Sequence, residues 1–238
     1  MDWKLRNIML IGREASDRLQ AAHVAVVGVG GVGGMAAECL ARAGVGRITL
    51  VDHDEIGVTN INRQVAALHS TVGLPKAEVM AARMRDIAPG ADIRALTLRY
   101  SKETRELFFD GKYDYIADAI DLVAHKLDLI EQSQMRGVPV ISALGAGNKM
   151  DAGLPRVGDI SKTEGCPLAR VIRKELRKRG IERHTVVWSP EEGAEPLALE
   201  TPPEGRRSVP SSMVFVPAVM GILMARFVAE QLTMNNEQ

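Results

Sequence analysis

Cysteine is scarce in this chain of 238 residues, which contains only Cys39 and Cys166. The two lie far apart in the sequence, and no Cys-x-x-Cys pair is present. This scarcity argues against a disulfide framework and against a zinc site built from paired cysteines, so we expect no structural zinc. It is also typical of proteins in a reducing cytoplasm, which is the location we expect.

A net charge and a long apolar run are also missing. Basic and acidic residues number 30 each, so no overall field attracts a polyanionic partner, although local patches can still do so. The charged N-terminus is followed by an apolar run too short for a signal peptide. The apolar segment 213–228 contains Pro217 and Gly221 and is too short to span a bilayer. We therefore expect a buried helix there and no membrane insertion.

Short apolar segments alternate with helical patterns along most of the chain. The predicted strands are 24–27, 48–51, 93–98, 113–117 and 138–142, with later ones at 156–160 and 184–188. The predicted helices are 33–42, 76–87, 102–109, 122–136, 167–179 and 217–232. Such alternation indicates βαβ units. The expected fold is α/β, with a doubly wound, mostly parallel, Rossmann-like sheet flanked by helices, extra strands and a C-terminal helix.

One segment near the C-terminus carries no helix or strand signal. Residues 189–212 hold five prolines among glutamates and glycines, which is typical of a flexible loop. We expect a single domain over residues 1–238. Its core covers about 20–145, and an extension over about 146–238 includes this loop.

The loop after the first predicted strand is rich in glycine and has the form of a phosphate-binding loop. Its glycines are Gly28, Gly30, Gly31 and Gly33. Such a loop lets the backbone turn sharply and approach a phosphate, while the next helix presents free N–H groups to the anion. Asp52, at the end of the second strand, is placed to accept hydrogen bonds from both ribose hydroxyls. These features predict nucleotide binding without saying which nucleotide, because a dinucleotide dehydrogenase would show them too.

The polar segment that follows favours chemistry at a phosphate. Arg63 and Lys76 would supply the cations needed by an enzyme that expels pyrophosphate, and Asn60 could orient a phosphate oxygen. A dehydrogenase needs no such cluster, because its nicotinamide carries the chemistry. The alternative is a polar loop whose cations face solvent.

An acidic pair ends the fourth predicted strand. Ligands of open parallel sheets bind beyond the carboxyl ends of the strands, so Asp121 is placed to hold a magnesium ion that bridges the phosphates. The alternative role for Asp121 is to cap the helix that follows it.

The predicted helix at 167–179 is strongly basic on one face. The residues at helical spacing on this face are Arg170, Arg173, Lys174, Arg177 and Lys178. A neighbouring apolar stripe of Leu168, Ile172 and Leu176 is expected to pack inward. The basic face is a candidate phosphate footprint for RNA, and a merely solvated face is the alternative.

Cys166 has two competing interpretations. It directly precedes Pro167 at a helix start, where the helix dipole and free N–H groups favour a reactive thiolate, so it is a candidate nucleophile. The alternative, which we favour, is a small residue near the helix cap.

The motifs together resemble the MoeB, ThiF and HesA group of ubiquitin-activating-like enzymes. The matching stretches are GVGGVG from Gly28, LVDHDEIGVTNINRQ ending at Gln64, Lys76, DAID at 118–121, RNIMLIG from Arg6 and FVPAVMG from Phe215. The resemblance implies adenylation of a carboxylate with ATP and Mg²⁺. It implies a nucleotide site of Gly30, Asp52, Asp54, Asn60, Arg63, Lys76 and Asp121. It also implies a homodimer in which Arg6 acts in the partner's active site.

Two departures narrow the resemblance. The paired zinc cysteines usual in MoeB- and ThiF-type proteins are missing, and Leu122 stands where carrier-activating members generally have Asn. The stretch Asp159–Thr163, followed by Cys166 and a basic helix, resembles the branch that dehydrates threonylcarbamoyladenosine in tRNA. That branch implies a tRNA substrate and a cyclisation within the activated side chain. The alternative is adenylation of the C-terminal Gly-Gly carboxylate of a ubiquitin-like sulfur carrier, with a sulfur-relay protein as partner.

Overall fold

A seven-stranded sheet forms the centre of the computed structural model, which describes residues 2–197, 199 and 210–234. The strands are His23–Val27 (β1), Arg47–Val51 (β2), Asp92–Leu96 (β3), Tyr115–Asp118 (β4), Val140–Ala143 (β5), Arg156–Asp159 (β6) and Thr185–Trp188 (β7). Their order in the sheet is β3-β2-β1-β4-β5-β7-β6. All neighbouring pairs are parallel except β6 and β7. The predicted fold class is confirmed.

Helices cover the sheet. In the described part of the chain they are Leu5–Ile11 (α1), Arg13–Ala21 (α2), Gly31–Ala43 (α3), Lys76–Ile87 (α4), Arg105–Phe109 (α5), Val123–Met135 (α6), Pro167–Lys178 (α7) and Phe215–Thr233 (α8). Short 3₁₀ turns lie at Val58–Asn60, His69–Thr71 and Ile160–Lys162.

The strand order reverses between β1 and β4. From β1 the chain runs outward through β2 to β3, and then returns to β4 on the other side of β1. Val27 lies opposite Asp118 in register, so the loops that follow the two strands start side by side. In open α/β sheets such a reversal leaves a crevice beyond the carboxyl ends of the strands.

Helix α8 packs against α3 and the sheet. A Cβ at Gly221 would lie 2.4 Å from the carbonyl oxygen of Val32, so only glycine allows this close approach. Met220, Met224 and Val228 of α8 belong to the main hydrophobic core. By length and composition α8 is apolar enough to cross a membrane, with a mean hydropathy of 1.4. One side of α8 is buried, as expected for the predicted helix, whereas Phe215 and Ile222 are exposed.

The largest departures from the predicted elements concern α1, α2 and α5. The chain from Leu5 to Ala21 forms two helices, for which no helix was predicted. Helix α5 begins at Arg105 rather than at residue 102, because Thr104 and Ser101 hydrogen-bond each other in a turn. Of the predicted loop 189–212, the described residues 189–197, 199 and 210–212 have neither helix nor strand, and the others lie outside the described residues.

Candidate active site

A cleft of about 1020 Å³ opens at the carboxyl ends of the central strands. It lies where the strand order reverses, beyond β1 and β4. The predicted site residues that line it are Gly28, Gly30, Gly31, Gly33, Asp52, Asp54, Asn60, Arg63, Lys76, Asp121 and Cys166. One pocket therefore brings together residues from positions 28 to 166 of the sequence.

The glycine loop is packed tightly on one side and open on the other. Gly28 has a φ of +88°, and a Cβ there would lie 2.7 Å from the carbonyl oxygen of Ala119. A Cβ at Gly33 would lie 1.8 Å from the carbonyl oxygen of Gly28. At Gly30 the nearest atom, Nε2 of Gln64, is 3.9 Å away. The loop thus closes against the β4 loop and leaves room for a ligand at Gly30.

Helix α3 starts at this loop without a side-chain cap. The first N–H groups of a helix have no partner inside the helix, and they carry the positive end of its dipole. Those of Gly31, Val32 and Gly33 lie in residues that line the cleft. The loop can therefore bind a phosphate through its backbone.

The carboxylate of Asp52 is buried beside the loop. One oxygen accepts the N–H of Val29 at 2.6 Å, and the other accepts the N–H of Asp54 at 2.9 Å. A carboxylate oxygen has two acceptor sites, so each keeps a lone pair for a ribose hydroxyl. Asp52 thus fixes the loop and lines the cleft at once.

Lys76 is buried at the start of α4 and pairs with Asp54. Its Nζ lies 2.8 Å from Oδ2 of Asp54, and its N–H donates to the Asp54 carbonyl. Burial raises the pKa of Asp54, but the hydrogen bond and charge of Lys76 outweigh it and lower the pKa overall. The ammonium is therefore held in place at the cleft wall.

Arg63 and Asn60 both line the cleft from the turn after β2. The Arg63 guanidinium is half-buried, which lowers its pKa, and it donates to Thr59 and Asn62. Asn60 accepts the N–H of Gly57 through its side-chain oxygen. The alternative interpretation has Arg63 and Lys76 facing solvent, but Arg63 is half-buried, Lys76 is buried, and both line the cleft.

Asp121 lines the cleft just after β4. Helix α6 begins at Val123, with Leu122 as its N-cap residue. The Asp121 carboxylate is the kind of oxygen ligand that Mg²⁺ prefers. Ligand atoms of Asp52, His53 and Asp54 also lie within 4.8 Å of one another, although Lys76 already pairs with Asp54.

Arg6 does not line the cleft of its own chain. It is exposed on α1, whose neighbouring Asn7 donates to the carbonyl of Arg42 at the far end of α3. A helix of 13 residues is about 20 Å long, so Arg6 is remote from the loop at the start of α3.

Helix α7 starts at the cleft and runs away from it. Cys166, its N-cap residue, is buried and lines the cleft together with Pro167 and Leu168. The apolar stripe packs inward as expected, with Ile172 and Leu176 fully buried. Of the five basic residues on the predicted face, four are exposed: Arg170, Lys174, Arg177 and Lys178.

Arg173 differs from the other four. It is half-buried, and its guanidinium donates to the carbonyl of Ile160 at 3.2 Å and to the carbonyl and hydroxyl of Thr163 at 2.8 and 2.6 Å. Arg173 thus holds the 3₁₀ turn after β6 against α7.

Several residues that line the cleft were not predicted from the sequence. They include Gln64, Arg99, His125 and Lys149. Gln64 has a buried side-chain oxygen without a partner among the described residues, as expected where a ligand supplies the donor. Lys149 is 5% exposed. Gln64 stands inside the quoted motif, so its position could have been flagged, whereas no sequence spacing marks Lys149.

Geometry and chemistry together define the class of protein. The site combines a crevice at the strand reversal, a glycine loop at a helix start and a set of buried cations. This combination is typical of a nucleotide-binding α/β protein whose site is directed at phosphates. A model of the ThiF family matches residues 4–238, and the chain belongs to this family.

Individual relatives refine the comparison. The tRNA threonylcarbamoyladenosine dehydratase of Bacillus subtilis is 43% identical, over 95% of this chain and 93% of that protein. The ATP-bound crystal structure of the Escherichia coli tRNA N6-threonylcarbamoyladenosine dehydratase has a TM-score of 0.86 and 34% identity, over 95% of this chain and 92% of that one. A sulfur carrier protein adenylyltransferase of Thermus thermophilus is more distant, at 34% identity over 55% of this chain and 48% of that protein.

Proposed function

We propose that this protein adenylates the carboxylate of threonylcarbamoyladenosine in tRNA with ATP and then cyclises the activated side chain with loss of water. The observation that carries the proposal is the convergence of the glycine loop, Asp52, Arg63 and Lys76 on one cleft. The chain also shares 43% identity with a dehydratase of this name over 95% of its length.

The nucleotide side of the cleft supplies binding and charge. The N–H groups at Gly30 and Gly31 bind the phosphates, Asp52 holds the ribose, and Arg63 and Lys76 stabilise the charge that grows on the departing pyrophosphate. Asp54 orients Lys76, and Asn60 and Gly33 shape the same wall. Asp121 would hold Mg²⁺, which neutralises the phosphates when bound.

The chemistry proceeds in two displacements. A carboxylate oxygen of the side chain attacks the α-phosphorus, and the bond to pyrophosphate breaks. A nucleophilic atom of the same side chain then attacks the acyl carbon, and AMP leaves with the former carboxylate oxygen. The nucleoside has lost one water in total. Because the second attack is intramolecular, no enzyme or carrier thiol is required.

A second copy of the chain would complete the site. The remoteness of Arg6 from its own cleft supports a role in the cleft of the partner subunit. Helix α1 has no buried residue, yet it exposes 84% of Leu10 and 69% of Met9, as a dimer surface would. We therefore retain the homodimer with Arg6 acting in trans.

The exposed basic face of α7 would guide the tRNA. Arg170, Lys174 and Arg177 extend along about 10 Å of helix, a length that spans more than one phosphate. The two free cysteines and the tRNA substrate are both in keeping with a cytoplasmic location.

Activation of a ubiquitin-like carrier remains the second candidate. Cys166 lines the cleft, where it could accept an acyl group or serve a sulfur-relay partner. The Thermus thermophilus adenylyltransferase is similar to this chain over 55% of its length. In the favoured scheme Cys166 is a packing residue at the start of α7.

Mass spectrometry of the nucleosides decides between the two candidates. The protein is incubated with ATP, Mg²⁺ and threonylcarbamoyladenosine-bearing tRNA, or instead with a carrier protein ending in Gly-Gly. We expect the tRNA nucleoside to lose one water, with AMP formed in equal amount. AMP formation with the carrier protein but not with the tRNA would support the carrier-activating function instead.

A further inference from the structure

Lys149 is a buried cation on the wall of the cleft. It is not among the residues that are proposed to bind the nucleotide. It follows β5, which lies two strands from β1 and its glycine loop. Neighbouring strands are about 4.8 Å apart, so the two loops start roughly 10 Å from each other. Lys149 thus belongs to the β5 side of the cleft, and the glycine loop, which is proposed to bind the phosphates, lies on the β1 side.

The ammonium of Lys149 has a neutral partner. Its Nζ donates to the carbonyl oxygen of Ser189 at 2.6 Å, and among the described residues no carboxylate lies within 4.0 Å of it. The buried Lys76 and Lys126, by contrast, pair with Asp54 and Asp118. Burial lowers the pKa of Lys149, against the opposing influence of Cys166 and Glu191. A buried ammonium that keeps two N–H donors without a partner in the described part of the chain favours an anionic ligand.

The backbone around Lys149 is fixed on both sides. Asn148, in the left-handed region at φ 62°, exchanges hydrogen bonds with Ser211 and accepts the N–H of Ala194 at 2.7 Å. The Glu191 carboxylate accepts the N–H groups of Met150 and Asp151. These contacts hold the Lys149 backbone in one place before any ligand binds, which reduces the entropy lost on binding.

We propose that Lys149 binds the substrate carboxylate that is adenylated. The proposal rests on the proposed function. Two anions, the carboxylate and the triphosphate, must approach each other for the oxygen–phosphorus bond to form and the bond to pyrophosphate to break. The phosphates have the glycine loop, Arg63 and Lys76, whereas the carboxylate has no other cation on its side among the described residues that are buried in the cleft. Lys149 supplies that charge.

Competition binding with acid and amide pairs tests the assignment. The probes are N6-threonylcarbamoyladenosine and its carboxamide, and separately a peptide ending in Gly-Gly and its carboxamide. Each probe competes with tRNA or with the carrier for binding to the protein. The proteins compared are the wild type, Lys149→Met and Lys162→Met. Lys162 is the control, because it is exposed and lies outside the cleft. Affinity for ATP and the melting temperature are measured alongside.

We expect the wild-type protein and Lys162→Met to bind the acid more tightly than the amide by roughly thirtyfold or more, as truncating a buried charge pair implies. Lys149→Met should bind acid and amide equally, with ATP affinity unchanged. A preference confined to the peptide pair would overturn the proposed function and keep the Lys149 assignment. An acid preference that survives in Lys149→Met, or no preference in the wild-type protein, would overturn the assignment.

Discussion

At the scale of single residues, the buried charges of the sheet have distinct roles. Lys126 and Asp118 are fully buried and lie 2.7 Å apart, with the Asp118 carboxylate also accepting the N–H of Ile120. This pair fixes the turn that carries Asp121 into the cleft. The acidic strand end is visible in the sequence, but which carboxylate is buried is not, because the partner of Asp118 lies on the next helix.

His184 makes the stability of the fold depend on pH. Its Nε2 lies 2.8 Å from Oγ of Ser142, and burial lowers its pKa to about 3, with the charge of Lys126 acting in the same direction. The unfolded chain, with an ordinary pKa of 6.5, therefore binds a proton between these values that the folded chain does not bind. Stability is thus retained above pH 6.5 and falls as the pH drops below it.

A His184→Gln variant isolates this effect. It keeps a hydrogen-bonding group for Ser142 but cannot titrate. Between pH 7 and pH 4.5 we expect the wild-type free energy of unfolding to fall by about 2 to 3 kcal/mol more than that of the variant. Urea unfolding at the two pH values gives both numbers. Equal losses in the two proteins would show that His184 does not control the dependence.

At the scale of elements, the basic helix was predicted with nearly correct bounds, but its residues do not act alike. Periodicity places side chains on a helix face and says nothing about what packs beside that face. Arg173 donates to Ile160 and Thr163, which only the fold brings to α7. A related limit applies to Lys149, because its partner Ser189 lies 40 residues further along the chain.

Substitutions on the exposed face of α7 should weaken RNA binding without changing the stability of the fold. Replacing Arg170, Lys174 and Arg177 by Glu removes three possible phosphate contacts. We therefore expect tRNA binding at low salt to weaken by roughly tenfold or more, and its salt dependence to become flatter. The melting temperature should stay the same. Fluorescence anisotropy across a salt series measures this.

Arg173→Met is the matched comparison on the same helix. It should lower the free energy of unfolding by about 1 to 3 kcal/mol, because the carbonyls of Ile160 and Thr163 lose their donor. The salt dependence of its tRNA binding should match that of the wild-type protein. If the triple variant binds tRNA normally, the face of α7 is only solvated.

At the scale of the whole molecule, the doubly wound, mostly parallel fold followed from the sequence, and the residues predicted for the nucleotide site line one cleft. Alternating buried strands and helices restrict the topology to a few arrangements, and the motif residues of such a sheet meet at the strand reversal. What the sequence could not supply is the acyl side of the cleft. It is built from the segments that follow β5 and β7, which are joined by long-range hydrogen bonds such as that of Lys149 with Ser189.

Subunit mixing tests whether the active unit is a dimer. Arg6→Ala and Asp121→Ala should each be inactive alone. In mixed dimers, one of the two sites regains an intact Asp121 and an Arg6 from the partner subunit. Random mixing makes half the dimers mixed, so activity should recover to roughly a quarter of the wild-type value. No recovery, with mixed dimers verified by mass, would place Arg6 outside the partner's site.

The central claim is adenylation of the nucleoside carboxylate, and a heavy-oxygen label tests it most directly. Threonylcarbamoyladenosine-bearing tRNA labelled in both carboxylate oxygens is incubated with ATP, Mg²⁺ and the protein, and the nucleotide products are weighed by mass spectrometry. The account predicts one labelled oxygen in AMP and one in the cyclised nucleoside. Unlabelled AMP, or ADP with the label in inorganic phosphate, would contradict it.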